Sequence, residues 1–265
     1  MSWQQVCYEY DGTFGGFLTC VFESYQNKEE PVCFLTPEDD HYTLWETRMV
    51  ETKEELAKRV WKGVARNISP NAAELVSRGF LTCLEERELH LWRFLRYGFQ
   101  KGSKVMLDLA DDRVDVLRKA VQHLGEEAHL YTGFVRFSDY DGLLISEIEP
   151  KNRVLPLLRS HFTQRFNTEQ FIIYDRTHKE ALVYKPHQWA IVPMEDFSAG
   201  PAGERELHYR RLWRRFFQTI AIEGRANPRC QNTHLPKRYR AMMTEFWEEE
   251  PSPTALKANK TPIGT

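Results

Sequence analysis

From Thr52 to Gly125 the apolar residues recur three and four positions apart. Leu56, Val60, Trp61 and Val64 form one set, and Leu75, Val76, Phe80, Leu81 and Leu84 another. That spacing turns one helical face toward a core, so residues 52–125 are predicted to be an almost wholly helical block. Thr52 with Glu55 offers a capping box, Ser69-Pro70 a second helix start, Asp111-Asp112 a third, and Gly125 a stop. Ahead of the block, Gln5–Tyr10 alternates like a strand and Asp11-Gly12 turns the chain. Asp11 or Thr13 can then cap a helix carrying Phe14, Phe17, Leu18, Val21, Phe22 and Tyr25 on one face. Residues 29–40 read as an acidic loop. After Gly125 the period changes to two: Leu130–Phe137 and Leu143–Glu149 flank a hairpin loop at Asp139–Gly142. Val154–Phe166 is helical, and Gln170–Tyr174, Ala181–Tyr184 and Trp189–Val192 read as strands of one antiparallel sheet.

The expected fold is α+β. A small, mostly antiparallel sheet, built from the first strand and residues 129–192, is covered by N-terminal, middle and C-terminal helices. Residues 1–247 are expected to form a single domain, and 248–265 a flexible tail without apolar period.

With 265 residues, 42% hydrophobic and 28% charged, the chain can bury a sizeable core. No apolar run approaches the ~18 residues of a membrane-spanning helix. The first residues lack a basic segment followed by a hydrophobic one, so a cytoplasmic protein is expected. Cys7, Cys20, Cys33, Cys83 and Cys230 are scattered, without a Cys-x-x-Cys pair. They read as five free thiols rather than metal or cluster ligands, with Cys20 in the core. No phosphate loop, dinucleotide glycine pattern or hydrolase nucleophile motif is present, and neither a cofactor nor a metal is expected.

Charge changes the picture in one place. Between Arg205 and Arg240 stand ten Arg/Lys residues, opposed only by Glu206 and Glu223, although the whole chain has a net charge of −2. Arg210, Arg211, Arg214 and Arg215 lie opposite Leu207, Leu212, Phe216, Phe217 and Ile220, as on an amphipathic helix with a charged outer face. Asn227-Pro228 breaks that helix, and His234-Leu235-Pro236 leads into another. Lys237 and Arg238 in that first turn oppose the macrodipole, which points to an anionic ligand or a tertiary carboxylate. Guanidinium groups interleaved with aromatic rings suit phosphates and unstacked bases. The candidate nucleic-acid-binding residues are Arg214, Arg225, Asn227, Arg229, Gln231, His234, Lys237, Arg238 and Tyr239.

Three phrases carry a resemblance. The chain opens with Tyr10-Asp11-Gly12-Thr13-Phe14 and Gly16-Phe17-Leu18-Thr19-Cys20-Val21-Phe22. Its middle holds Gly133-Phe134-Val135-Arg136-Phe137, then Glu149-Pro150 and Arg165-Phe166. It ends with Arg225, Asn227-Pro228-Arg229, Gln231, Leu235-Pro236-Lys237-Arg238-Tyr239, Met243 and Glu245-Phe246. In that order they resemble a bacterial family of unknown biochemical function named for DNA metabolism. The resemblance implies a radical-SAM partner linked to DNA modification or repair, and kinship with a domain fused to uracil-DNA glycosylases. The family pattern places a His shortly after Glu149-Pro150; here Lys151, Asn152 and Arg153 follow.

Three function classes remain open. The first is a DNA-repair accessory protein that binds nucleic acid beside the radical-SAM partner. The second is an enzyme acting on a nucleobase or phosphodiester, whose weak catalytic candidates are Asp11, Arg136, Glu149 and His161. The third is a protein–protein adaptor without DNA contact. The absence of a nucleophile pair favours no turnover by this chain alone. Arg136, read as a strand residue diagonal to Glu147, is either one half of a cross-strand ion pair or a base-stacking side chain.

Overall fold

The computed structural model describes residues 3–37, 39, 43–195, 197, 199–220 and 227–247. The chain divides into two compact units, one of residues 1–127 with 151–154, the other of residues 128–150 with 155–265. The fold is a mixture of helices with two sheets, and no described helix is long and apolar enough to cross a membrane.

The first unit holds a parallel three-stranded sheet in the order β2-β1-β3. Its strands are β1 (Gln4–Glu9), β2 (Glu29–Leu35) and β3 (Thr47–Met49), and α1 (Phe14–Asn27) connects the first two. The single antiparallel sheet expected to include the first strand is therefore corrected, because β1 pairs in parallel with both neighbours. Residues 29–35, expected as loop, form an edge strand. An edge tolerates Pro31, whose nitrogen has no proton to donate. The acid that suggested a loop, Glu29, is buried and accepts from the Tyr8 hydroxyl at 2.7 Å, with Arg48 at 2.5 Å. Burial, together with this hydrogen bond, pushes the Tyr8 phenol well above its usual range.

A register shift between Val6 and Cys7 sets Cys7 opposite Cys33, and the two form a disulfide. Five free thiols is thus corrected to three: Cys20, buried as expected, and the exposed Cys83 and Cys230. The expected helical block is present as α2 (Glu54–Asn67), α3 (Pro70–Gly79), α4 (Arg87–Lys101) and the first part of α5 (Asp112–Phe134). Ser69 caps α3 through its side chain, as expected. Gly125 does not end α5. Leu124, Ala128 and Tyr131 are buried at helical spacing and carry the helix on through residues expected as strand.

The second unit holds a mixed five-stranded sheet in the order β4-β5-β6-β7-β8. The strands are β4 (Ser138–Tyr140), β5 (Leu143–Ile148), β6 (Gln170–Asp175), β7 (Glu180–Lys185) and β8 (Gln188–Pro193). β4 and β5 form a hairpin where one was expected, but its first strand is Ser138–Tyr140, largely within the expected loop rather than at 130–137. The turn is the two residues Asp141 and Gly142, both at positive φ, which matches strand twist. β5 and β6 are parallel and joined through α6 (Leu155–Arg165); β6, β7 and β8 are antiparallel neighbours, as the alternation predicts. Phe137, Phe162, Phe166 and Phe171 pack ring to ring in this unit. The C-terminal helices are α7 (Glu204–Ile220), α8 (Pro228–His234) and α9 (Lys237–Arg240).

Candidate functional site

On α7 the structure reverses the expected orientation. The residues turned inward include Glu206 and Arg210, one helical turn apart and each about 7% exposed. Arg210 Nε donates to Glu206 at 2.8 Å, its Nη2 donates to the Ser138 hydroxyl at 2.9 Å, and its guanidinium lies 4.8 Å over the Trp247 ring. The other oxygen of Glu206 accepts from the Asp139 backbone at 3.0 Å. Arg214 is half-buried and donates to the Trp247 carbonyl. With buried charges paired in this way, the apolar residues are displaced to the surface. Tyr209, Leu212, Trp213, Phe216, Phe217 and Ile220 are all exposed, Phe216 at 53%. Trp213 and Phe216 stack at 5.8 Å. Arg205, Arg211 and Arg215 are exposed among them, and no ion pair among the described residues engages these three.

The remaining basic candidates fall into two groups. Arg229, Gln231, His234, Lys237 and Arg238 are exposed on α8 and α9. Arg238 lies over the Tyr239 ring and also bonds its hydroxyl. Asn227 is exposed but caps α8, accepting from Cys230 N–H, so its carbonyl serves the helix. Tyr239 is 3% exposed and packs at 5.0 Å against both Tyr131 and Phe134, which takes it off the accessible surface. Arg225 lies outside the described residues. The anion site expected at the start of α9 has only four helical residues behind it, too short for aligned peptide dipoles to contribute much.

The four weak catalytic candidates each have their own surroundings. Asp11 belongs to the first unit. Its carboxylate accepts from the Thr13 backbone at 2.9 Å, from the Thr13 hydroxyl at 2.7 Å and from the Thr52 hydroxyl at 2.6 Å, and Thr13 caps α1. Partial burial would raise its pKa, but these hydrogen bonds outweigh burial and lower it. The strand–turn–helix shape that could cradle an anion is thus filled by the chain's own carboxylate. A side chain at Gly16 would run into that carboxylate. Thr52, expected to cap α2, is committed here instead.

In the second unit Arg136 is not on a strand and does not pair with Glu147. It grips the buried carboxylate of Glu245, with Nη2 at 2.8 Å. Glu147 and Glu149 both face Arg176, at 3.6 and 3.3 Å. His161 sets its ring edge-on to Phe162, and its Nε2 is buried without a hydrogen-bond partner. His178 is pinned by Asp175 at 2.7 Å in the β6–β7 turn. In the first unit Asn152, standing near where the resemblance led to the expectation of a His, is 5% exposed and bridges Glu127 to the Cys83 backbone.

A cavity of about 180 Å³ opens in the second unit, and Arg136, Ser138, Ser146, Glu147, Arg176 and Arg210 contribute to its lining. Of these, the sequence marks only Arg136 as a site candidate. Ser146 gives no motif signal, and Arg210 reads from sequence as an outward charge.

Fold and surface together define a mixed α/β protein whose C-terminal unit displays a basic, aromatic helix beside a small polar cavity. A family model described as a domain of unknown function, DUF4130, matches residues 85–245, more than half of the chain, and the chain belongs to that family. No curated protein matches it.

Proposed function

We propose that this protein is a nucleic-acid-binding accessory factor of DNA metabolism, which holds its substrate while a radical-SAM partner supplies the chemistry. The observation that carries the reading is the outward face of α7, where Tyr209, Trp213 and Phe216 stand exposed among Arg205, Arg211 and Arg215. Aromatic faces left in water attract unstacked bases, and guanidinium groups between them meet the phosphates that connect those bases. Arg229, Lys237 and Arg238, exposed on α8 and α9, add cations to the same C-terminal region.

The test is a titration of labelled single- and double-stranded oligonucleotides at two ionic strengths. Binding weakens as salt rises. Arg211→Ala/Arg215→Ala should flatten the log–log salt slope by about 0.7–0.9 for every phosphate that the two side chains neutralise. No binding at low salt would transfer the exposed face of α7 to a protein partner, which is the adaptor reading.

A further inference from the structure

The cavity in the second unit carries a more specific assignment. It opens beside β5. The last β4–β5 pair is Ser138 with Ile145, so Ser146–Ile148 have β6 on one side and, among the described residues, no strand on the other. Ser146 is 2% exposed, lines the cavity, and its hydroxyl has no hydrogen-bond partner. A buried hydroxyl can donate one hydrogen bond and accept two, and leaving all of them unmade costs stability with no return to the fold. An alanine would fill the same strand position without that cost. An unsatisfied hydroxyl facing a cavity therefore indicates a polar occupant.

The charges around the cavity narrow its chemistry. Three guanidinium groups line it, but each already faces a carboxylate: Arg136 faces Glu245 at 2.8 Å, Arg210 faces Glu206 at 2.8 Å, and Arg176 faces Glu147 and Glu149. Glu147 also lines the cavity itself. A phosphate would find its positive charge already neutralised and a carboxylate in the way. A neutral ligand with donors and acceptors along one edge matches Ser138, Ser146 and Glu147. Tyr140 and Trp247 supply flat apolar wall. The volume lies below the ~300 Å³ at which drug-sized pockets begin, so the occupant is about the size of a single ring system.

We propose that this cavity takes one neutral nucleobase, read along its edge by the Ser146 hydroxyl and Glu147. Resting on the nucleic-acid reading above, the base would be one swung out of a bound strand.

Two measurements on the full-length protein test this. In the first, free adenine, cytosine, thymine and inorganic phosphate are titrated separately and followed by NMR. The expected result is that at least one base binds, phosphate does not, and Ser146→Ala weakens base binding about tenfold, the loss of one hydrogen bond. In the second, an oligonucleotide carrying 2-aminopurine reports unstacking by fluorescence while anisotropy reports binding of the strand. The expected result is a fluorescence rise with wild type that Ser146→Val, which removes the hydroxyl and crowds the cavity with two methyl groups, reduces sharply while anisotropy still rises. Should the valine variant fail to fold, the alanine variant carries the comparison. Phosphate binding in place of bases overturns the proposal, as does a cavity that admits water only and no base. Strand binding with unchanged 2-aminopurine fluorescence and no free-base binding sinks the base pocket and leaves the nucleic-acid reading standing. Free-base binding without strand binding at any salt concentration does the reverse.

Discussion

The two units use charge in opposite ways. In the first, polar groups complete the fold: Asp11 closes the start of α1, and the buried Glu29 joins Tyr8 to Arg48. The apolar face of α1 turns inward, with Phe17, Leu18 and Val21 almost fully buried. In the second, a charged pair on α7 turns inward and the aromatics of the same helix turn out. An apolar stripe marks the buried face of a helix only when its polar stripe has no better use. Where an acid and a base one turn apart find each other, a hydroxyl and a backbone N–H, the stripe can invert. Apolar surface left exposed in this way is characteristic of an interaction site.

The largest expected effect breaks that inverted packing. Arg210→Ala leaves Glu206 buried without its cation and should destabilise the protein by about 3–5 kcal/mol in urea unfolding. Glu206→Leu combined with Arg210→Met should recover most of that loss, because no charge is then left buried alone. A double variant as unstable as Arg210→Ala would mean that the pair is needed for more than mutual neutralisation.

In the first unit, Gly16→Ala pushes a methyl group into Asp11 and should cost about 1–3 kcal/mol, seen as a lowered unfolding midpoint. Asp11→Asn is milder, under about 1 kcal/mol, because the carboxylate is exposed. Its pH dependence has a definite sign. The folded-state pKa of Asp11 is below the ordinary carboxylate value, so its contribution is complete above that value and is lost as pH falls through it toward the folded pKa. The stability gap between wild type and Asp11→Asn should therefore be open at neutral pH and close in acid. A gap that widened in acid would remove the carboxylate from this role.

Thiol labelling gives the smallest perturbation. Cys83 and Cys230 should react readily with iodoacetamide, whereas Cys20, whose pKa burial pushes well up, should react only on unfolding. Cys7 and Cys33 should label only after reduction.

Much of the fold was legible because the signals were local. Ser69-Pro70, Thr13 and Asp141-Gly142 specify their caps and turn within four residues. The alternation of β6, β7 and β8 needs only neighbouring residues. What stayed hidden depends on distant partners. β2 is a strand because Tyr8 and Arg48 satisfy Glu29, and the disulfide depends on a one-residue register shift in β1. The helix α5 passes Gly125 because Leu124, Ala128 and Tyr131 are buried at helical spacing around it, and a methyl group at Gly125 would meet nothing within 4 Å, so the glycine marks no close approach. The inward turn of Arg210 is set by Ser138, 72 positions away. The candidate site divides along the same line. The exposed cations of α8 and α9 could be placed from charge and helix breaks, whereas Tyr239 is buried by rings from α5, and Ser146 matters only through the cavity that distant segments form.

The central claim is that the outward face of α7 binds nucleic acid through its aromatic rings as well as its charges. Fluorescence anisotropy of a labelled single-stranded oligonucleotide, with wild type and Trp213→Ala/Phe216→Ala at two ionic strengths, tests it most directly. Base stacking is worth about 1–3 kcal/mol per base, so the variant should bind roughly tenfold or more weakly at both salt concentrations, with an unchanged salt slope. Its thermal stability should stay close to wild type, because both side chains are exposed. Equal affinity for variant and wild type, or no binding by either at low salt, would contradict the account.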